Sequence, residues 1–118
     1  MAQTKVSRKQ VIRNPLIQSV TSASTVTASW DTDDQVNITA LAANVTLANP
    51  TGTANDGQML FYRIKDNGTS RTIAVGTQFR AIGVTIPTAT TISKTTVMLG
   101  KWNAADTKLD IIAVGTEA

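Results

Sequence analysis

From Gln58 the chain alternates between apolar and polar residues. Leu60, Tyr62 and Ile64 share one parity, and Arg63 and Lys65 share the other. A period of two marks a strand with one face buried. The run ends at Asp66-Asn67-Gly68. A second run from Arg71 to Val75 then puts Ile73 and Val75 on its apolar parity. Asn and Gly both tolerate positive φ, so Asn-Gly between two alternating runs is a strong hairpin signal. The pattern predicts a central antiparallel hairpin within Asp56–Gly83, with one face in a core. Phe61 shares the parity of Arg63 and Lys65, which makes it either an exposed aromatic or a contact with a partner.

The same pattern recurs along the rest of the chain. Val26, Ala28 and Trp30 alternate, as do Val36, Ile38 and Ala40, and then Val45 and Leu47 after a break at Ala42-Ala43-Asn44. Asn49-Pro50-Thr51-Gly52 and Asn55-Asp56-Gly57 have the composition of turns. Glycines on both sides of Phe79–Ile82 predict a bend or an irregular excursion. Thr95 to Trp102 reads as a strand, with Val97 and Leu99 on one face and Met98 and Trp102 on the other. After a loop at Asn103–Thr107, Leu109–Val114 is apolar on both parities. Such a strand is interior, or its second face meets another subunit. No segment has sustained helical periodicity and there is no internal repeat. The expected fold is all-β: a single antiparallel β-sandwich or barrel-like domain of about seven to eight short strands.

Charge divides the chain in two. The formal net charge is +3. Residues 1–30 hold Lys5, Arg8, Lys9 and Arg13 and no acid, while residues 31–118 hold seven basic and eight acidic residues. The first nineteen residues are basic, are interrupted by Pro15, and carry Val6, Val11, Ile12, Leu16 and Ile17. The expected organisation is an N-terminal basic arm, 1–19, and a β-domain, 20–118. The arm is either a terminus or first edge strand, or a segment that docks on a partner, since segments that order on binding can wrap large surfaces. Its candidate partner-binding residues are Lys5, Arg8, Lys9, Val11, Ile12, Arg13, Leu16 and Ile17.

Little in the sequence points to catalysis. There is no histidine and no cysteine, which removes the commonest general base, the commonest metal ligand and any thiolate. Most carboxylates sit in turn contexts, where Asp serves backbone hydrogen bonds. Neither GxGxxG nor GxxxxGK[ST] occurs. Asp31, Asp33 and Asp34 invite a calcium reading, but they lack the glycine and distal glutamate of an EF-hand loop, and a solvated acidic turn is the plainer account. Arg63, Lys65, Arg71 and Arg80 offer a basic stripe for nucleic acid, opposed by Asp56 and Asp66 nearby. Trp30 and Trp102 offer carbohydrate platforms, or core and rim residues. No window approaches the ~20 apolar residues of a membrane span, and the N-terminus lacks the apolar stretch of a signal peptide. Assembly in the cytoplasm is expected.

Several motifs together carry a family resemblance. They are Asn49-Pro50-Thr51-Gly52, Asp56-Gly57-Gln58, RIKDNGTSRTI from Arg63, FRAIG from Phe79 to Gly83, and KWNAADTKLDIIAV from Lys101 to Val114. Residues 44–114 thereby resemble a small β-rich module of tailed-bacteriophage virion structural proteins, of the capsid decoration (cement) or head-fibre type. The first 40 residues are outside the resemblance. It implies no enzyme activity and no cofactor or metal. It implies a homotrimer that meets the major capsid protein on the outer surface of the virion and stabilises the shell by bridging capsomers, without nucleic-acid or membrane partners. The alternative it leaves open is a head-fibre or tail-fibre component that binds host-surface carbohydrate.

Overall fold

A computed structural model describes residues 14–118. Among them are nine strands and no helix. The strands are β1 Ile17–Val20, β2 Thr25–Val26, β3 Gln35–Leu41, β4 Val45–Leu47, β5 Met59–Asp66, β6 Ile73–Val75, β7 Phe79–Ala81, β8 Thr95–Asn103 and β9 Lys108–Thr116. They form a six-stranded sheet in the order β1-β3-β5-β8-β9-β7 and a three-stranded sheet in the order β2-β4-β6.

The all-β expectation holds, but the described strands number nine instead of seven or eight, and the antiparallel sandwich or barrel gives way to a mixed six-stranded sheet beside a small parallel one. From β1 to β6 successive strands alternate between the two sheets, and β1-β3-β5 and β2-β4-β6 are each parallel. Parallel neighbours need a crossover of a dozen or more residues, usually helical. Here the crossover carries the strand of the opposite sheet. The chain therefore winds as a two-sheet parallel coil. Antiparallel pairing is confined to β5 with β8 and β8 with β9, and β7 adds to β9 in parallel at the far edge.

The predicted hairpin at Asp66-Asn67-Gly68 is absent: β5 lies in the large sheet and β6 in the small one. A two-residue type I′ turn needs positive φ at both central residues. Gly68 has it, at 102°, but Asn67 does not. Asn67 N–H instead donates to the Leu41 carbonyl at 3.1 Å, extending the ladder with β3. Gly68 N–H donates to Asp66 Oδ1 at 2.9 Å. This is a corner that sends the chain to the other sheet. β7 forms where an irregular excursion was expected. β1 takes in Ile17, Gln18 and Ser19, which composition had placed in the arm.

The inner parities were legible. Val36, Ile38, Leu60, Tyr62, Ile64, Met98, Leu109 and Ile111 of the large sheet and Val26, Val45, Leu47 and Ile73 of the small one belong to a single buried cluster. Burying such a side chain stabilises by roughly 1.5–3 kcal/mol relative to exposure. The glycine in β8 is part of this packing. A Cβ on Gly100 would lie 2.6 Å from Leu109 Cδ1, too close for a carbon contact, so any side chain there would force Leu109 out of its place.

A register shift between Leu99 and Gly100 leaves Ile112 as the extra residue of β9, and Leu99 then pairs with Ala113. Past this bulge Val114 packs against the core while Ala113 is exposed. An inserted residue exchanges the faces of everything beyond it. That explains why Leu109–Val114 is apolar on both parities.

One buried carboxylate ties a long loop to the coil. Asp66 accepts the Thr90 hydroxyl at 2.6 Å, Ser93 N–H at 2.9 Å and Gly68 N–H at 2.9 Å. Thr90 Oγ1 in turn accepts Arg71 N–H at 2.9 Å. Ile73 N–H donates to the Thr88 carbonyl at 2.8 Å, which covers the outer edge of β6. These bonds favour the carboxylate, the Thr90 hydroxyl foremost, and hold Asp66 below its usual titration range.

Candidate functional site

The strand registers place a continuous outward surface on the six-stranded sheet. Ile17, Gln35, Phe61, Leu99 and Ala113 lie side by side across β1, β3, β5, β8 and β9. This row carries no charge. The next row is Ser19, Asn37, Arg63, Val97 and Gly115, with one cation. Beyond it Lys65 pairs with Thr95, which exchanges hydrogen bonds with Glu117: Thr95 N–H to Glu117 Oε1 at 3.0 Å, and Glu117 N–H to the Thr95 carbonyl at 2.8 Å. On the other side lie Met59, Lys101 and Asp110. Met59 is 48% and Ile112 42% exposed, Ala113 is exposed, and Phe61, Val97 and Leu99 are half-buried.

Electrostatics frame this surface at its ends. At one end Arg80 of β7 reaches Asp110 Oδ1 at 2.7 Å and Asp106 Oδ2 at 3.0 Å. The pairing raises the Arg80 guanidinium and holds the Asp110 carboxyl below its usual range. At the other end the Thr95 amide, foremost, and then the charges of Lys94 and Lys65 lower Glu117. The middle is left to apolar and small side chains.

Of the residues expected to bind a partner, Lys5, Arg8, Lys9, Val11, Ile12 and Arg13 lie outside the described residues. Leu16 and Ile17 stand at the mouth of β1, 45% and 49% exposed. The Leu16 backbone is already fixed: its N–H donates to Asp34 Oδ2 at 2.8 Å and its carbonyl accepts Asp34 N–H at 2.7 Å. The arm therefore joins the domain at the edge of the large sheet, beside the uncharged row.

The other candidate chemistry resolves into structural bonds. Asp33 is buried and accepts Ser29 N–H at 2.8 Å and Gln18 Nε2 at 2.9 Å. Asp31 receives Thr53 N–H at 3.4 Å, and Asp34 is engaged with Leu16. No cluster of three or more metal-ligating side chains occurs among the described residues. Trp30 is 5% exposed and packs against Trp102 with ring centroids 5.7 Å apart. The pair closes one end of the core; Trp30 is covered, whereas Trp102 is half-buried and lines a surface pocket with Asp56, Lys101, Asn103 and Asp110. No helix among the described residues is long and apolar enough to cross a membrane.

Comparison with protein-family models, with curated proteins and with solved structures found no match for this chain.

Sequence reasoning singled out Phe61 as an outward aromatic and Leu109–Val114 as two-faced, but it did not assemble the row. Gln35, Leu99 and Ala113 of this row, and Val97 of the next, are residues it left out of the site. The signal was there in the opposed parities of Val97/Leu99 and Met98. Deciding which parity faced the core required the pairing of β8 with β5.

Proposed function

We propose that this protein is a capsid decoration protein of a tailed bacteriophage. Three copies associate and bind the outside of the head, where they bridge copies of the major capsid protein and stabilise the shell. The protein performs no chemistry and uses no cofactor. The observation that carries this reading is the uncharged outward row Ile17–Gln35–Phe61–Leu99–Ala113, spanning five strands of the large sheet. A contiguous, weakly polar surface on a small domain is an association surface. The resemblance of residues 44–114 to virion modules supplies the setting. The basic arm, entering at the sheet edge beside Leu16, supplies the anchor to the capsid.

The test uses phage heads produced without this protein. The full chain should bind them and raise the temperature at which they release DNA. A chain lacking residues 1–13 should fold and associate normally yet fail to bind. The cut belongs at residue 13, because Leu16 and Ile17 are hydrogen-bonded or paired parts of the domain. Undiminished binding by the shortened chain would remove the arm from the account, and failure of the full chain to bind would remove the capsid reading.

A further inference from the structure

The outward face of the large sheet is graded as well as apolar. On β5 it carries the large side chains Phe61, Arg63 and Lys65. At the matching levels β9 carries Ala113 and Gly115, and Glu117 follows just beyond its end. Between them β8 contributes Leu99, Val97 and Thr95. One flank is therefore bulky and carries two cations, and the other is small and carries one carboxylate, Glu117, which Lys94 and Lys65 of the same chain already face. A rotation axis parallel to the strands and close to β8 keeps each level aligned while bringing the β5 flank of one copy onto the β9 flank of the next. Phe61 then meets Ala113 of a neighbouring copy, Arg63 passes over Gly115, and Lys65 reaches Glu117.

We infer that this face is the interface between copies of the chain, with the β5 flank of each seated on the β9 flank of its neighbour. Size is complementary at the Phe61–Ala113 and Arg63–Gly115 levels and charge at the Lys65–Glu117 level, as in an interface built by symmetry. Five strands, the longer of eight or nine residues, make a plate of roughly 600 Å² before side-chain relief. That approaches the ~800 Å² per partner of a stable association. A foreign partner has no reason to reproduce the gradient, whereas a second copy carries both halves of it. The exposed Lys101, at the far end of β8, is free to turn into solvent as packed sheets splay. The number of copies, three, rests on the reading under Proposed function. The flank pairing requires only that association be cyclic.

The full chain is tested by sedimentation equilibrium with no heads present. Wild type should give a mass two or three times 12.5 kDa. Ala113→Arg places a bulky cation on the small flank at an exposed position and should give the single-chain mass with an unchanged circular dichroism spectrum. Thr46→Arg, at an exposed position on β4 of the small sheet, should keep the wild-type mass. A second arm covers the case in which Ala113→Arg does not fold. The chain has no cysteine, so Ala113→Cys carries a single thiol. In the assembled protein that thiol should react with a maleimide at least tenfold more slowly than the thiol of Ala42→Cys, and dilution should abolish the difference. A monomeric wild type, an Ala113→Arg protein of wild-type mass, or equal thiol reactivities at 113 and 42 would each overturn the inference. A chain that assembles in this way but does not bind heads would leave the inference standing and remove the capsid reading.

Discussion

β5, β8 and β9 carry two faces built on opposite rules. The inner face is saturated: Leu60, Tyr62, Ile64, Met98, Leu109 and Ile111 are essentially inaccessible, and Gly100 is small because Leu109 fills its space. The outer face grades from Phe61 and Arg63 to Ala113 and Gly115, and nothing in the described chain lies across that gradient. One face is satisfied by its own chain. The other is proposed to be completed by a second copy. The two parities of such a strand must be judged separately.

The comparison breaks most readily at the core. Leu60→Ala should cost about 2–5 kcal/mol by urea denaturation, from lost burial and the cavity left behind. Leu99→Ala, one position along the adjacent strand but on the outer face, should cost less than about 1 kcal/mol when both are measured in the monomeric Ala113→Arg background. Equal costs would mean that the two faces do not differ within a single chain. Gly100→Ala should come next, at about 1–3 kcal/mol from overpacking against Leu109.

Acid sharpens the contrast in a different way. The folded carboxyl of Asp66 titrates below its unfolded value, so its contribution is present above the unfolded pKa and is lost as pH falls through the folded one. Stability should decline in that acidic window. Asp66→Asn should flatten the decline. Asp110→Asn should flatten it less, because the Arg80–Asp110 pair is partly open to solvent and screened. The smallest effects are expected where the core already carries a cost. The Tyr62 and Thr96 hydroxyls are buried without a hydrogen-bond partner among the described residues. Burial, with the nearby Asp33 charge adding to it, pushes the Tyr62 phenol pKa up. Tyr62→Phe and Thr96→Val should match or exceed wild-type stability, within about 1 kcal/mol.

Local features of this fold were legible, and its long-range pairing was not. Alternation at Leu60, Tyr62 and Ile64, at Val36 and Ile38, and at Val45 and Leu47 identified the core correctly, because period-two burial is the same in parallel and antiparallel strands. That equivalence is also why the sheet's direction was misjudged. The deciding detail at Asn67-Gly68 was the φ of Asn67 together with the pull of Asp66 on Gly68 N–H, neither of which composition reveals. The corner looked like a hairpin for that reason. β1 was legible as one of two readings of the arm, a first edge strand, and Ile17–Val20 takes that place at the edge of the large sheet. The outward row could not be read along the chain at all, since its five members come from five strands and meet only through register.

The central claim is most directly tested by counting. On the proposed function, virions of a tailed phage whose genome carries this gene, quantified by mass spectrometry against the major capsid protein, should contain the chain in numbers comparable with the capsomers and accessible to protease on the outer surface. Absence from the particle, or a handful of copies confined to the tail, would contradict the account.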